Sequence, residues 1–199
     1  PIYSRKKETL EAEEEILFDV NEMAKGFEYY QLGGLNISED NKLAVFATDT
    51  VSRRQYFLRI KNLETGEIYK DIIDNTTGGS VWANDNKTIF YTKKDPKTLR
   101  SEKIFRHVLG TPTSEDVEVY HEKDETFGTY VTKSKSKDYI IIGSYSTLSN
   151  EAQYLDANNP TGEFTMLQER VADLEYSVSH YKDHFYIMTN KDNATNFNE

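Results

Sequence analysis

The chain repeats itself. A short apolar run, a polar turn and a second apolar run recur four times. The second run starts at Leu43 (LAVFAT), Thr88 (TIFYTK), Tyr139 (YIIIGSY) and His184 (HFYIMTN), at intervals of 45, 51 and 45 residues. The turns are polar, as in Ser38-Glu39-Asp40-Asn41-Lys42 and Asn84-Asp85-Asn86-Lys87. Short polar side chains bond the local backbone there and tolerate left-handed conformations. A period of about 40 to 50 residues carried by short strands is the pattern of four-stranded propeller blades. Helical repeats of that length would show a 3.6-residue amphipathic period, which these segments lack. Repetition has a physical reason, because a blade buries its faces only against neighbouring blades.

The expected fold is therefore all-β, a partial β-propeller of about three and a half four-stranded antiparallel blades. Residues 31–199 form this unit, with blades at about 31–75, 78–122, 127–168 and, incomplete, 174–199. Residues 1–30 precede it as an arm and a short helix. Asp19 is the expected N-cap, Glu22 its capping-box partner and Gly26 the stop, whereas KKETLEAEEE reads as a solvated arm. Single-chain propellers close rings of about four to eight blades. Three and a half blades leave a sheet face and a strand edge open, so self-association through those edges is expected. A chain that starts at Pro1 and ends in NATNFNE reads as a piece of something longer.

Composition narrows the partners. The 199 residues include 14 Tyr and 10 Phe, an aromatic content suited to strands and a packed core. A net charge of −10 repels phosphate backbones, which argues against nucleic acid, and attracts cationic ligands. The absence of cysteine removes disulfides, thiol catalysis and cysteine-type zinc sites. It fits a reducing, cytoplasmic compartment, as does a start (PIYSRKKETLEAEEE) with no apolar leader. No apolar run reaches membrane length, so no membrane partner is expected.

Few residues carry chemistry by themselves. His180 and His184 have the i, i+4 spacing of a zinc-protease helix, but they flank a strand turn, where i and i+4 do not share a face. Asp156 to Gly162 (DANNPTG) has calcium-loop composition without the ligand spacing and reads as a hairpin loop. Neither a G-x-S-x-G elbow nor a phosphate loop is present. Catalytic, metal and cofactor residues are therefore all expected to be none. Four N-x-S/T sequons, at Asn36, Asn75, Asn86 and Asn193, read as chance occurrences. The run TDTVSRRQY has two readings. Arg53 and Arg54 are either a solvated hairpin tip, or one guanidinium grips a carboxylate on another domain or on a ligand.

A family resemblance rests on longer stretches. FEYYQLGGLNISEDNKLAVFATDTVSRRQYFLRIKNLETGE, then VWANDNKTIFYT and IFRHVLGT, then EKDETF and LEYSVSHYKDHFYIMTN, resemble the propeller of the oligopeptidase B group of the prolyl oligopeptidase family. The resemblance runs from about Glu15 to the end. It implies a serine endopeptidase in which a seven-bladed propeller caps an α/β-hydrolase domain with a Ser-Asp-His triad. Such an enzyme cleaves short peptides after Arg or Lys, and its propeller admits substrate by size. The hydrolase domain, carried mostly C-terminal to the propeller in that family, would be this chain's partner and is absent here, so the chain itself would hold no catalytic residue. Arg53 and Arg54, in the matching SRRQY, would make interdomain or substrate-carboxylate contacts. The alternative is a stand-alone propeller serving as a protein-interaction platform; a G-x-S-x-G elbow in further sequence would separate the two.

Overall fold

Fifteen strands account for nearly all the regular structure of the computed structural model, which describes residues 1–194 and 197. Blade 1 contains β3 (Gln31–Ile37), β4 (Leu43–Asp49), β5 (Tyr56–Asn62) and the first half of β6 (Ile68–Trp82). The second half of β6 opens blade 2, which continues through β7 (Thr88–Lys94), β8 (Ser101–Val108) and β9 (Val117–His121). Blade 3 is β10 (Gly128–Lys133), β11 (Tyr139–Tyr145), β12 (Asn150–Asp156) and β13 (Thr165–Gln168). A hairpin of β14 (Tyr176–Tyr181) and β15 (His184–Thr189) begins a fourth. Every pairing is antiparallel between chain neighbours, as in an up-and-down blade.

The tight turns behave as their residue types require. In the turns between the first two strands of each blade, Asn41, Asn86, Lys137 and Lys182 take positive φ of 60°, 56°, 71° and 53°. Asp85 fixes its turn by accepting from the Lys87 and Thr88 amides at 3.0 and 2.8 Å. Ser38 does the same for Leu43 at 2.9 Å.

The second strand of each of the first three blades is largely apolar because both of its faces are covered. In β4, Val45 and Ala47 join a core with Leu58, Ile60, Trp82, Ile89 and Tyr91 between blades 1 and 2, while Ala44 and Phe46 face the N-terminal segment with Phe18 and Leu63. In β7, Phe90 points the other way and packs with Val131, Ile140 and Ile142 between blades 2 and 3. Ile141 turns to blade 4 with Ala152 and Tyr176. A residue period of two thus serves two cores at once. Each fully buried Leu, Ile or Phe is worth roughly 1.5–3 kcal/mol.

Three expectations need amendment. The segment read as a solvated arm is a hairpin of β1 (Ile2–Lys6) and β2 (Glu14–Asp19), exposed at its tip but burying Leu17 and Phe18 on blade 1. It forms because Leu17 and Phe18 in β2 supply apolar residues for the open face of β4, which outweighs the charge of their neighbours. The outer strand of blade 1 and the inner strand of blade 2, expected as separate strands, are one 15-residue strand, β6, bent by left-handed Asn75 (φ 55°) and Gly78 (φ 87°). The short helix α1 (Val20–Met23) is capped by Asp19, which accepts from the Asn21 and Glu22 amides. Glu22 does not close the capping box, because its carboxylate pairs with Lys25 at 2.5 Å.

Candidate functional site

Strand direction divides the connections between two rims. One carries the tight turns at 38–42, 84–87, 134–138 and 182–183; the other carries the loops at 50–55, 95–100 and 146–149 and the links between blades at 122–127 and 169–175. Residues 24–30 lead into β3 from this second, loop rim.

The turn rim is laced shut. Asp40 N donates to Asn86 Oδ1 at 3.1 Å, and Asn84 Nδ2 donates to Lys137 O and Asn158 Oδ1 at 3.2 and 3.0 Å. Lys133, on the innermost strand of blade 3, reaches Glu39 of blade 1 at 2.7 Å and Asn84 of blade 2 at 2.6 Å. Lys137 adds a second pair to Glu39 at 2.7 Å. Burial opposes ionisation of Glu39, but the two ammonium groups outweigh it and hold the carboxyl below its ordinary range. Three blades thereby meet at one charge cluster.

The loop rim is open and arginine-rich. Buried Asp49 shapes its first loop, accepting from Val51 N at 2.9 Å and Arg54 N at 2.8 Å, with Ser52 and Arg54 at positive φ. Arg53 and Arg54 stand exposed on this loop, and the ion pairs among the described residues include neither guanidinium. The Arg54 carbonyl takes a bond from Lys94 Nζ at 2.6 Å. Burial first, and Arg54 second, lower the Lys94 pKa. The two arginines are thus held out on a hydrogen-bonded loop, without an ion pair among the described residues.

Two further arginines, not singled out in the sequence, tie blade to blade on this rim. Arg100 donates to the carbonyls of Glu122, Asp124 and Phe127 at 3.0–3.1 Å. Arg170 pairs with Glu122 and Glu151, each at 2.6 Å, and lies 4.0 Å from the Phe127 ring centre. The Arg170 bond is the main cause of a lowered Glu151 pKa; for Glu122 burial works in the opposite direction and is overcome. Only position on the loop rim, in the β7–β8 loop for Arg100 and in the link after blade 3 for Arg170, marks these residues beforehand.

The remaining candidates resolve without chemistry. His180 and His184 are on opposite strands of one hairpin, His180 buried and His184 exposed. Among the described residues no cluster of metal-ligating side chains occurs. Asp156 accepts from Asn158 N at 2.8 Å within its own hairpin loop. Ser136, His180 and Asp138 do converge, but both oxygens approach the same nitrogen, Nδ1, at 2.8 and 3.4 Å. A proton relay needs the nucleophile and the carboxylate on different ring nitrogens, so this group is structural. The sequons at Asn36, Asn75 and Asn86 all hydrogen-bond inside the fold, whereas the Asn193 sequon extends to Thr195, outside the described residues.

Antiparallel four-stranded blades laced at one rim and open at the other define a β-propeller. Comparison with known proteins is specific: residues 1–198 match the family described as prolyl oligopeptidase, N-terminal beta-propeller domain. The chain belongs to the prolyl oligopeptidase family and is part of its N-terminal propeller. It is 44% identical over 186 residues to dipeptidyl aminopeptidase BI of Pseudoxanthomonas mexicana, covering 94% of this chain and 26% of the relative. With Protease 2 of Moraxella lacunata it shares 30% identity over 204 residues, 99% of this chain and 29% of that one. Oligopeptidase B from Leishmania major superposes with a TM-score of 0.89 at 28% identity, over 98% of this chain and 28% of that chain. The chain therefore spans between a quarter and a third of the length of these relatives.

Proposed function

We propose that this chain is the substrate-gating part of a serine peptidase that cuts short peptides next to Arg or Lys. The observation that carries the reading is topological. Each complete blade runs from its inner to its outer strand, so the chain enters blade 1 and leaves every blade at the loop rim. A catalytic domain joined to the propeller sits on that rim, above the unpaired Arg53 and Arg54. The opposite rim is laced by Lys133, Glu39 and Asn84. A folded protein is too wide to thread such a structure, whereas a short flexible peptide passes and is then sequestered from water with the reacting groups. The net charge of −10 favours the approach of basic peptides.

The test uses the full-length protein and this chain side by side on an N-blocked Arg-Arg chromogenic peptide. Cleavage by the full-length protein alone supports the reading; cleavage of folded proteins as fast as of short peptides would sink the gating. Arg53→Ala and Arg54→Ala in the full-length protein should change kcat/KM, and unchanged kinetics in both would remove the contact role. A second reading, release of dipeptides from a free amino terminus, is favoured by the 44% identity to a dipeptidyl aminopeptidase. Cleavage that requires an unblocked α-amino group would establish it over endopeptidase action. No cleavage of either kind would leave a propeller that binds partners without chemistry.

A further inference from the structure

Blades 3 and 4 part at the loop rim to leave a cleft of about 490 Å³, lined among others by Tyr130, Tyr145, Asn150, Glu175, Tyr176 and Met188. Its construction begins in two matching triplets, Gly128-Thr129-Tyr130 and Gly143-Ser144-Tyr145. In the ladder of β10 and β11, Gly128 stands opposite Tyr145 and Tyr130 opposite Gly143. Each ring lies on the facing glycine. A Cβ on Gly143 would come within 2.4 Å of Tyr130 Cζ, and one on Gly128 within 3.2 Å of the Tyr145 ring and hydroxyl. The ring centres are 5.9 Å apart and the planes tilt by 51°. Tyr130 and Tyr145 nevertheless remain 46% and 50% exposed. The fold has fixed two large aromatic faces and left them uncovered.

The charge beside them is also free. Glu122, Glu151 and Asp124, the neighbouring acids of this rim, are all drawn to Arg170. Glu175, at the wall of the cleft, is not among the paired carboxylates of the described residues. Aromatic faces attract cations through the ring quadrupole, and an unpaired carboxylate adds a charge-assisted hydrogen bond. Because the rings are already held by the glycines, binding costs little ordering. The volume suits one extended side chain with the adjoining backbone.

We infer that this cleft is a subsite for the cationic side chain, arginine or lysine, of a peptide lying on the loop rim, an inference that rests on the peptidase reading for its peptide but not for its chemistry. Binding is tested in the full-length protein labelled with 3-fluorotyrosine, by fluorine NMR, with acetyl-Arg-Gly-Arg-amide as probe and its citrulline analogue as the neutral control. Tyr145→Phe removes one resonance and so assigns it. The arginine peptide should shift that resonance, and the citrulline peptide should not. Read from the resonance of the neighbouring Tyr130, assigned likewise by Tyr130→Phe, Glu175→Gln and Tyr145→Leu should each weaken that site's affinity about three- to tenfold, and Tyr145→Phe should retain it. Equal response to both peptides means a neutral aromatic or apolar occupant and overturns the inference. So does a Tyr145 resonance insensitive to peptide, the result if later chain fills the cleft. Failure of the peptidase reading is read separately: no cleavage of Arg peptides with a shifting Tyr145 resonance leaves the subsite standing, and cleavage with a silent resonance does the opposite.

Discussion

Replacing Asp116 by asparagine should cost stability in a manner that depends on pH. His107, on β8, has no exposed side-chain surface. Its Nδ1 lies 2.6 Å from Asp116 Oδ1 and its Nε2 lies 3.4 Å from Asp71 Oδ2. The other oxygen of Asp116 accepts from Tyr91 Oη at 2.8 Å, and Asp71 also accepts from Gly110 N at 2.7 Å. Burial works against a charged imidazole, but the two aspartates outweigh it and raise the His107 pKa above its ordinary value. The stabilisation is therefore complete below the unfolded value of about 6.5 and drains away as pH rises through the folded-state pKa. Removing one member of a buried charged pair costs roughly 3–5 kcal/mol. At roughly 2–4 °C per kcal/mol for a chain of this size, Asp116→Asn should lower Tm by about 6–20 °C near pH 6. Asparagine still accepts from Tyr91, so the loss reports charge. Thermal unfolding followed by circular dichroism from pH 5.5 to 9 is the assay. The gap between the two proteins should narrow at the alkaline end; a gap that is constant with pH, or absent, would refute a protonated His107 held by its aspartates.

Three other perturbations probe the seams. Gly34→Ala would set a Cβ 2.1 Å from the Gly78 carbonyl oxygen, a backbone atom that cannot swing away; urea unfolding should show a loss near the top of the roughly 1–3 kcal/mol range for overpacking. Ile89→Ala empties a fully buried position between blades 1 and 2, with an expected loss of roughly 2–5 kcal/mol by the same measurement. Arg170→Met leaves Glu122 and Glu151 unpaired, which should cost near the lower end of roughly 3–5 kcal/mol because the Arg170 side chain is 28% exposed. Both carboxyls are held below their ordinary pKa, so their stabilisation is present above the unfolded value and lost as pH falls through the folded one. The stability gap between Arg170→Met and the parent, followed by urea unfolding at a series of pH values, should accordingly narrow as pH falls through the carboxylate range.

The repeat was legible because its turns and its doubly buried strands obey local rules. Asn41 and Asn86 are residues that accept left-handed backbone, and LAVFAT or YIIIGS has no polar face to expose. Lys137 and Lys182 occupy the same turn position without that preference, and only their place in the period pointed to them. The N-terminal hairpin was hidden because the acids of its second strand mask ILF, and because its partner surface is a sheet far along the chain. DNTTGG looks like a turn, and it is in fact where β6 bends from one blade to the next. At the candidate site the run Ser52-Arg53-Arg54 stood out as charge. Arg100 and Arg170 did not, since their partners depend on which loops share a rim. The two Gly-x-Tyr triplets were visible, but their reciprocity depends on a strand register that spacing alone does not determine.

The uninterrupted course of β6 makes the seams of this ring mechanically unequal. Blades 1 and 2 share one backbone from Ile68 to Trp82, so prising them apart strains main-chain hydrogen bonds on both sides of the same strand. Blades 2 and 3, and 3 and 4, share no strand and are held by loops, by side-chain packing and by clamps such as Arg100 and Arg170. Under a load that widens the ring, the first two blades move as one stiff leaf and the compliance falls on the later seams. The tyrosine cleft lies at such a seam, so an occupant of it would act at the joint that yields.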